Sequence, residues 1–331
     1  MMSRRAMLAL GLVAGSGMAI ARTRRPLRVS ALFAGRIDDK GFTESGYRGL
    51  QLAKARLGCA IEFIQGIAPQ AEALEQALRR LAAGAPDMIV AHGGQNDAPA
   101  RAVAQAFPAL RFVVAQGSAK GPNLSSYEVV QEQSAFLAGA LAALTTRTGI
   151  VGHMSGIRVT PGLKGRAAFV AGAHHVDPKV QVLTNFSGNQ DDNALSYRVA
   201  SALIDARADI IFTMLNAGRR GAIDACRARG VFQIGNVIDW TRVAPDVFVG
   251  SAIADSGLGL FNAVADLAAG RFVPDVIRQI GLEEPQAVRL ALADSVDPTI
   301  ARRIAGLSAD IVARRIDVPT RYEGLEFTNP D

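Results

Sequence analysis

The chain has 331 residues with a formal net charge of +6, and 49% of them are hydrophobic. This length suits one large domain or two ordinary ones with a sizeable core. The sequence has no Lys/Arg-rich run and no helix-turn-helix or zinc-finger spacing, so we expect no nucleic-acid partner. Its 2 cysteines and 4 histidines lack metal-ligand spacing, which predicts no metal site. Cys59 and Cys226 are expected to be separate core residues.

The N-terminal segment has the three-part layout of an export signal. A basic head with Arg4 and Arg5 precedes an apolar run over residues 6–20, and a small-x-small cleavage site ends at Ala21. The run is shorter than the roughly 20 apolar residues of a membrane-spanning helix. We therefore expect cleavage after about Ala21 and a periplasmic protein, by either the twin-arginine or the ordinary export route. Because no cysteine lies near the cleavage site, we expect no lipoprotein.

The first half of the remaining chain alternates strand-like runs with amphipathic helical stretches. Strands are predicted at residues 28–34, 61–67, 88–91 and 111–115, and helices at residues 43–57 and 69–83. Thr43 is expected to cap the first helix, and Gly58 stands where that helix should end.

The second half repeats this rhythm. Strands are predicted at residues 149–154, 180–186, 210–213, 231–234 and 247–251, and helices at residues 161–176, 191–206 and 216–229. Such alternation predicts parallel sheets covered on both faces, and two such runs indicate two lobes. Ligands of these sheets bind at the carboxyl ends of the strands. The loops expected there are residues 35–43, 92–97, 116–118, 155–161, 187–192, 215–219 and 235–240.

No catalytic motif stands out in the sequence. The serine of residues 152–156 is one place late for a nucleophile elbow, and there is neither a Walker A loop nor a G-x-G-x-x-G motif opening a helix after the first strand. The acidic pairs at 38–39 and 191–192 suit general acid-base chemistry, but helix capping and solvation explain them as well. We therefore expect no enzyme and no cofactor, with a secreted hydrolase using these carboxylates as an alternative.

Four segments carry a family resemblance: DKGFTESGYRGL (39–50), QSAFLAGALA (133–142), FVAGA (169–173) and ADIIF (208–212). In this order they are similar to motifs of the basic membrane protein family, the PnrA-like substrate-binding proteins of ABC importers. The resemblance spans roughly residues 28–272. It implies an α/β chain with the type I periplasmic-binding-protein fold, in which two doubly wound parallel-sheet lobes are joined by a hinge and hold the ligand between them.

The resemblance also implies how the chain is divided and what it does. Residues 26–130 with about 252–280 would form lobe 1, and residues 131–251 with about 281–331 would form lobe 2. The protein would be a periplasmic monomer that delivers a small molecule to an ABC permease in the inner membrane. A sensory ligand-binding protein is a further alternative.

Individual residues, compared with the family's residues at the same positions, indicate which kind of ligand to expect. Phe42 occupies the family's purine-stacking position, unless it merely packs on the helix beginning beside it. Thr43 stands where the family has Asn, Gln116 where it has a strand-four Asp, and Gln190 where it has a second aromatic. Trp240 either replaces that aromatic wall or is a buried residue at a helix start.

The family's ribose-binding groups are missing. Val237 replaces an Asp assigned to the ribose hydroxyls, and segment 251–254 lacks the ribose-side lysine. Among purine-like nucleobases, nucleosides and other small planar heterocycles, a free base or other heterocycle is therefore favoured over a nucleoside. The candidate ligand-binding residues are Asp39, Phe42, Thr43, Gly93, Gln116, Gln190, Asp192, Asn216, Asp239 and Trp240.

Overall fold

A computed structural model describes residues 25–39 and 41–328, and the predicted export signal lies outside this part of the chain. One six-stranded sheet of the described part is built from β1 (Arg28–Phe33), β2 (Ala60–Gln65), β3 (Met88–His92), β4 (Phe112–Ala115), β5 (Leu124–Val129) and β11 (Ile277–Ile280). Its strands are all parallel, in the spatial order β11-β5-β4-β3-β1-β2. The helices packed with it are α1 (Phe42–Leu57), α2 (Ala71–Ala83), α3 (Asp97–Ala106) and α8 (Ser256–Ala268). We call this unit lobe 1.

The second sheet of the described part is built from β6 (Ile150–Ser155), β7 (Gln181–Phe186), β8 (Ile210–Met214), β9 (Phe232–Asn236), β10 (Phe248–Ala254) and β12 (Val288–Leu292). Its spatial order is β12-β10-β9-β8-β6-β7, and only the β10–β12 pair is antiparallel. The helices packed with it are α4 (Gln131–Thr145), α5 (Thr160–Val176), α6 (Asn193–Asp205) and α7 (Arg219–Arg229), and α9 (Pro298–Val312) packs on α4. We call this unit lobe 2.

The chain crosses between the two sheets at three places. It leaves the first sheet between β5 and α4, returns between β10 and α8, and crosses again between β11 and β12. The residue ranges assigned to each lobe from the sequence stay a prediction.

Glycines allow the two helices that follow the first crossing to pack closely. A Cβ atom on Gly139 of α4 would lie 1.9 Å from the carbonyl oxygen of Phe169 on α5. A Cβ atom on Gly172 of α5 would lie 1.9 Å from the carbonyl oxygen of Phe136 on α4. Both sites are closed to a side chain, which explains why each helix has glycine in its FLAGA or FVAGA segment. The buried phenylalanines beside them belong to the core between the helices and the second sheet.

The first helix begins one residue earlier than predicted. Helix α1 starts at Phe42, so Thr43 lies inside it, and the expected cap at Thr43 is wrong. Thr43 is buried, with its hydroxyl where a side chain on Gly35 would sit. The predicted end is confirmed, because Gly58 adopts a left-handed φ of 66° after the last turn.

Two further features concern membrane crossing and the cysteines. In the described part of the chain, no helix has the length and apolar character needed to cross a membrane. Cys59 and Cys226 are both buried with free thiols, which confirms that they are separate core residues.

Candidate functional site

The carboxyl ends of β1 and β8 meet between the lobes. Asn216 follows β8 in lobe 2, and its Nδ2 atom lies 3.4 Å from Oδ2 of Asp39, which follows β1 in lobe 1. The backbone of Gly41 is so close that a Cβ atom there would lie 2.3 Å from Oδ1 of Asn216. Predicted site residues from both lobes therefore lie together, in a closed arrangement of the cleft.

Asp39 holds the start of α1. Its carboxylate accepts backbone N–H groups from Gly41 at 2.9 Å, Thr43 at 3.0 Å and Glu44 at 3.0 Å. These groups are the otherwise unpaired donors of the first helical turn, and a negative charge at a helix N-terminus is favourable. The carboxylate thus fixes the turn that carries Phe42.

Phe42 packs against a buried histidine. The ring centroids of Phe42 and His92 are 4.2 Å apart, with their planes inclined by 35°. His92 is 1% exposed, its Nε2 lies 3.1 Å from Oγ of Ser256, and burial lowers its pKa to about 3. The imidazole is therefore neutral near pH 7. Phe42 is half-buried, so the residue keeps accessible surface while its ring packs on His92.

The two other predicted residues of lobe 1 contact backbone. Gly93 adopts a φ of 105° at the end of β3, and its N–H donates to the carbonyl of Ala115 at 2.8 Å. Gln116 has a left-handed φ of 64°. Its Nε2 donates to the carbonyl of Val129 at 3.2 Å, and its Oε1 accepts the N–H of the same residue. The Gln116 amide therefore extends the pairing of β4 and β5.

In lobe 2, Gln190 and Asp192 shape the loops around Asn216. The carbonyl of Gln190 accepts the backbone N–H groups of Asn216 at 3.1 Å and Gly218 at 3.0 Å. Asp192 caps α6 by accepting the N–H of Leu195 at 3.0 Å. Gln190 therefore holds the loop between β8 and α7, whereas Asp192 fixes the start of α6.

Asp239 and Trp240 start a single 3-10 turn after β9. Asp239 accepts the N–H of Thr241 at 3.2 Å and pairs with Arg242 at 3.3 Å. Trp240 is 8% exposed, and its Nε1 donates to the carbonyl of Asn236 at 3.0 Å. Trp240 is thus a buried residue at the start of a helical turn that also lines a cavity.

That cavity, of about 410 Å³, lies between α1 of lobe 1 and α7 of lobe 2. Of the predicted site residues, Asn216 and Trp240 belong to its lining. The lining consists of Glu44, Arg48, Asn193, Asn216, Ala217, Arg219, Arg220, Ile223, Ile238, Trp240 and Val243. Because Asn216 also contacts Asp39, the cavity adjoins the place where the two lobes meet.

A buried arginine holds the wall of this cavity in lobe 2. Arg219 is 2% exposed, and its Nη1 donates to the carbonyl and hydroxyl of Thr213 at 3.0 and 2.8 Å. Its Nη2 donates to the carbonyl of Leu215 and to Oδ1 of Asn236. The guanidinium carbon lies 4.6 Å from the ring centre of Trp240. Burial lowers the pKa of Arg219 to about 9, so the group is still charged at pH 7.

Sequence reasoning did not single out Arg219. Two adjacent arginines, 219 and 220, occupy the first two positions of α7, where the positive end of the helix dipole disfavours cations. Residues that violate a local preference, as these cations do in the first turn of a helix, often lie at functional positions. For metals, the described residues contain no group of three or more His, Cys, Asp or Glu side chains that could hold an ion.

Known relatives agree with this architecture. A purine-binding protein of Brucella abortus is 26% identical over 239 residues, covering 72% of this chain and 67% of the relative. Basic membrane protein A of Borreliella burgdorferi is 25% identical over 307 residues, covering 90% and 89%. The crystal structure of an ABC transporter solute-binding protein from Aeropyrum pernix superposes with a TM-score of 0.77, at 20% identity and with 90% and 94% coverage. The predicted type I fold is confirmed.

The family model for PnrA-like ABC transporter substrate-binding proteins matches residues 27–321. Proteins of this kind bind small molecules outside the cytoplasm and pass them to a transporter permease; they are not enzymes. The match covers nearly all of the described chain and confirms the resemblance drawn from the four sequence segments. The chain belongs to the Bmp family of PnrA-like ABC transporter substrate-binding proteins.

Proposed function

We propose that this protein binds a purine-like nucleobase, or another small planar heterocycle, between its lobes and delivers it to an ABC permease. One observation carries the proposal: Asn216 of lobe 2 contacts Asp39 of lobe 1, whose carboxylate holds the helix turn that carries the half-buried Phe42. An aromatic surface beside amide and carboxylate groups suits a flat ring that carries hydrogen-bonding edges. The purine-binding name of the Brucella relative supports the same class of ligand.

Two arrangements favour a free base over a nucleoside. Val237, which stands where the family places a ribose-binding Asp, has an apolar side chain and a left-handed φ of 71°. The Asp239 carboxylate accepts both the N–H and the hydroxyl of Thr241. A ribose would therefore meet few free polar groups in this loop, and unpaired hydroxyls would weaken its binding.

The proposed mechanism is closure of the lobes around the ligand. A ligand that contacts both lobes binds the closed arrangement better than an open one and so shifts the population towards it. The hinge would lie at the three crossings. At one of them, Ser45 of α1 donates to Asp255 at 2.7 Å, and Ser256 bonds to the His92 that backs Phe42. The proposed stacking ring is thus connected directly to a crossing.

Three further expectations belong to this proposal. Residues 1–21 would direct export and be removed after about Ala21, and the mature protein would be a periplasmic monomer without a lipid anchor. The cysteine-free cleavage region supports the last point. The mass of the exported protein shows whether residues 1–21 have been removed and whether a lipid is attached. Its elution from a sizing column shows whether it is a monomer.

The ligand class is tested by calorimetric titration of the exported protein with adenine, hypoxanthine, xanthine, adenosine and inosine. We expect a base to bind, and we expect Phe42→Ala to weaken it about tenfold, the size of one lost stacking contact. Phe107→Ala is the matched control, because this half-buried ring lies at the far end of α3, next to the amino end of β4. Tight binding of inosine with no binding of a base would contradict the free-base assignment.

A further inference from the structure

The cavity between α1 and α7 carries an excess of positive charge. Its charged lining residues are Arg48 and Glu44 from lobe 1 and Arg219 and Arg220 from lobe 2. Three cations therefore face one anion. Arg48 and the arginines of α7 line the same cavity from the two lobes, and like charges so placed repel each other unless a negative charge lies between them.

The charge of Arg219 has no anionic partner in the described part of the chain. Four of its five N–H groups donate to neutral oxygens of Thr213, Leu215 and Asn236, and Nε is buried without any partner. A buried cation is costly unless an opposite charge lies near it. An anion bound in the adjoining cavity would supply that charge.

The two other arginines are free to turn towards such an anion. Arg48 lies 3.9 Å from Glu44, and Arg220 lies 3.6 Å from Asp224, one helical turn away in each case. The side chains of Arg48 and Arg220 are 51% and 84% exposed. Exposed pairs of this length contribute little, so exchanging them for a ligand anion costs little.

We infer that the cavity receives an acidic group, a carboxylate or a phosphate, carried by the ligand whose ring binds at Phe42. This inference rests on the proposed function and narrows its ligand class to acidic heterocycles. The cavity adjoins the ring site through Asn216, which both lines the cavity and contacts Asp39. The acidic group lies between arginines of both lobes, so it also favours the closed arrangement.

Matched ligand pairs test the inference. Inosine and inosine 5′-monophosphate differ by a phosphate group, so comparing their binding shows the effect of the phosphate. Nicotinamide and nicotinate differ in the same way by a carboxylate. Inorganic phosphate is the probe that has no ring. Trp240 is the only tryptophan in the sequence and lines the cavity, so its fluorescence reports binding there. At low salt we expect the acidic member of at least one pair to bind about tenfold more tightly, with the gap narrowing as salt screens the arginines.

Two substitutions and two controls assign the effect to the cavity. Arg48→Gln and Arg220→Gln should each reduce the preference for the acidic member severalfold while leaving the neutral member unchanged. Arg56→Gln on α1 and Arg229→Gln on α7 remove the same charge from the last turns of the same helices and should leave the preference intact. Arg219 is unsuitable for substitution because it also holds the loops after β8 and β9.

The outcomes separate this inference from the proposed function. Equal binding of the neutral and acidic members overturns the inference and leaves the proposed function standing. Binding of acidic members and phosphate that is unaffected by Phe42→Ala supports the acidic site and overturns the ring site. No response to any probe overturns the inference, and the titration with purine bases then decides the proposed function separately.

Discussion

Asn216 donates its side-chain N–H to the carboxylate of Asp39 across the boundary between the lobes, at 3.4 Å. Under the proposed closure mechanism, this contact joins the lobes in the closed arrangement and would stabilise it. We expect Asn216→Ala to weaken ligand binding several-fold and to change the unfolding free energy by less than about 0.5 kcal/mol. Titration and urea unfolding of the same variant measure both quantities.

Asn262→Ala is the control for this prediction. It removes an amide–carboxylate contact elsewhere, to Glu284 at 3.1 Å, and should leave ligand binding unchanged. Weaker binding in both variants would contradict the proposed role of Asn216.

Neighbouring aspartates should differ sharply in their contribution to stability. Asp39 accepts three backbone N–H groups at the start of α1, whereas Asp38 is exposed and accepts hydrogen bonds from the Arg36 guanidinium. We expect Asp39→Ala to lower the unfolding free energy by about 1–2 kcal/mol, as lost helix caps do. Asp38→Ala is the matched control and should have little effect. Equal losses in urea unfolding would refute the capping role.

The close approach of α4 and α5 predicts an intolerant glycine. In Gly139→Ala, the new methyl group would overlap the carbonyl oxygen of Phe169, so the helices must separate. We expect a loss of about 1–3 kcal/mol or more in unfolding free energy. Gly306→Ala in α9 is the control: beyond its chain neighbours and its own helix backbone, no atom of the described residues lies within 4 Å of the added methyl, and alanine favours helix there. A neutral Gly139→Ala protein would show that the helices are farther apart.

Buried histidines predict a loss of stability in acid. Burial lowers the pKa of His153 from 6.5 to about 3, with the nearby Arg166 charge acting in the same direction and Glu326 opposing it. Between these two values the unfolded chain binds the proton and the folded chain does not, so the unfolding free energy falls as the pH falls. The expected fall is about 1.4 kcal/mol per pH unit below pH 6.5.

Urea unfolding at a series of pH values tests this prediction. Between about pH 6.5 and pH 4.5, the unfolding free energy of His153→Gln should fall by about 2–3 kcal/mol less than that of the parent protein. His174→Gln removes an exposed histidine and should show the same pH dependence of the unfolding free energy as the parent protein. Identical pH profiles for His153→Gln and the parent would mean that His153 is already protonated in the folded state.

The architecture could be predicted because its signals are local. Strand–helix alternation predicts the two parallel sheets. The glycines of the FLAGA and FVAGA segments are explained by the close contact between α4 and α5, which leaves no room for a side chain. Strand β5 was missed because LSSYEV has little apolar alternation, although its backbone pairs with β4 and β11. The start of α1 was misplaced by one residue because Asp39 reaches the first turn from outside the helix.

The candidate site was harder to predict because its contacts join distant parts of the chain. Nothing local to Gln116 indicates that its amide pairs with the backbone of Val129. Likewise, the burial of Arg219 depends on Thr213, Asn236 and Trp240, which the fold brings together. The roles of the predicted ligand-binding residues therefore stay proposals that rest on position.

Native mass spectrometry of the exported protein, purified gently from its host, is the most direct test of which ligand binds between the lobes. A small molecule that binds between two closed lobes should survive purification, and its mass identifies it. We expect a bound purine-like or other planar heterocycle that is lost or reduced in Phe42→Ala and retained in Phe107→Ala. A bound sugar, or another molecule without a planar ring, would contradict it.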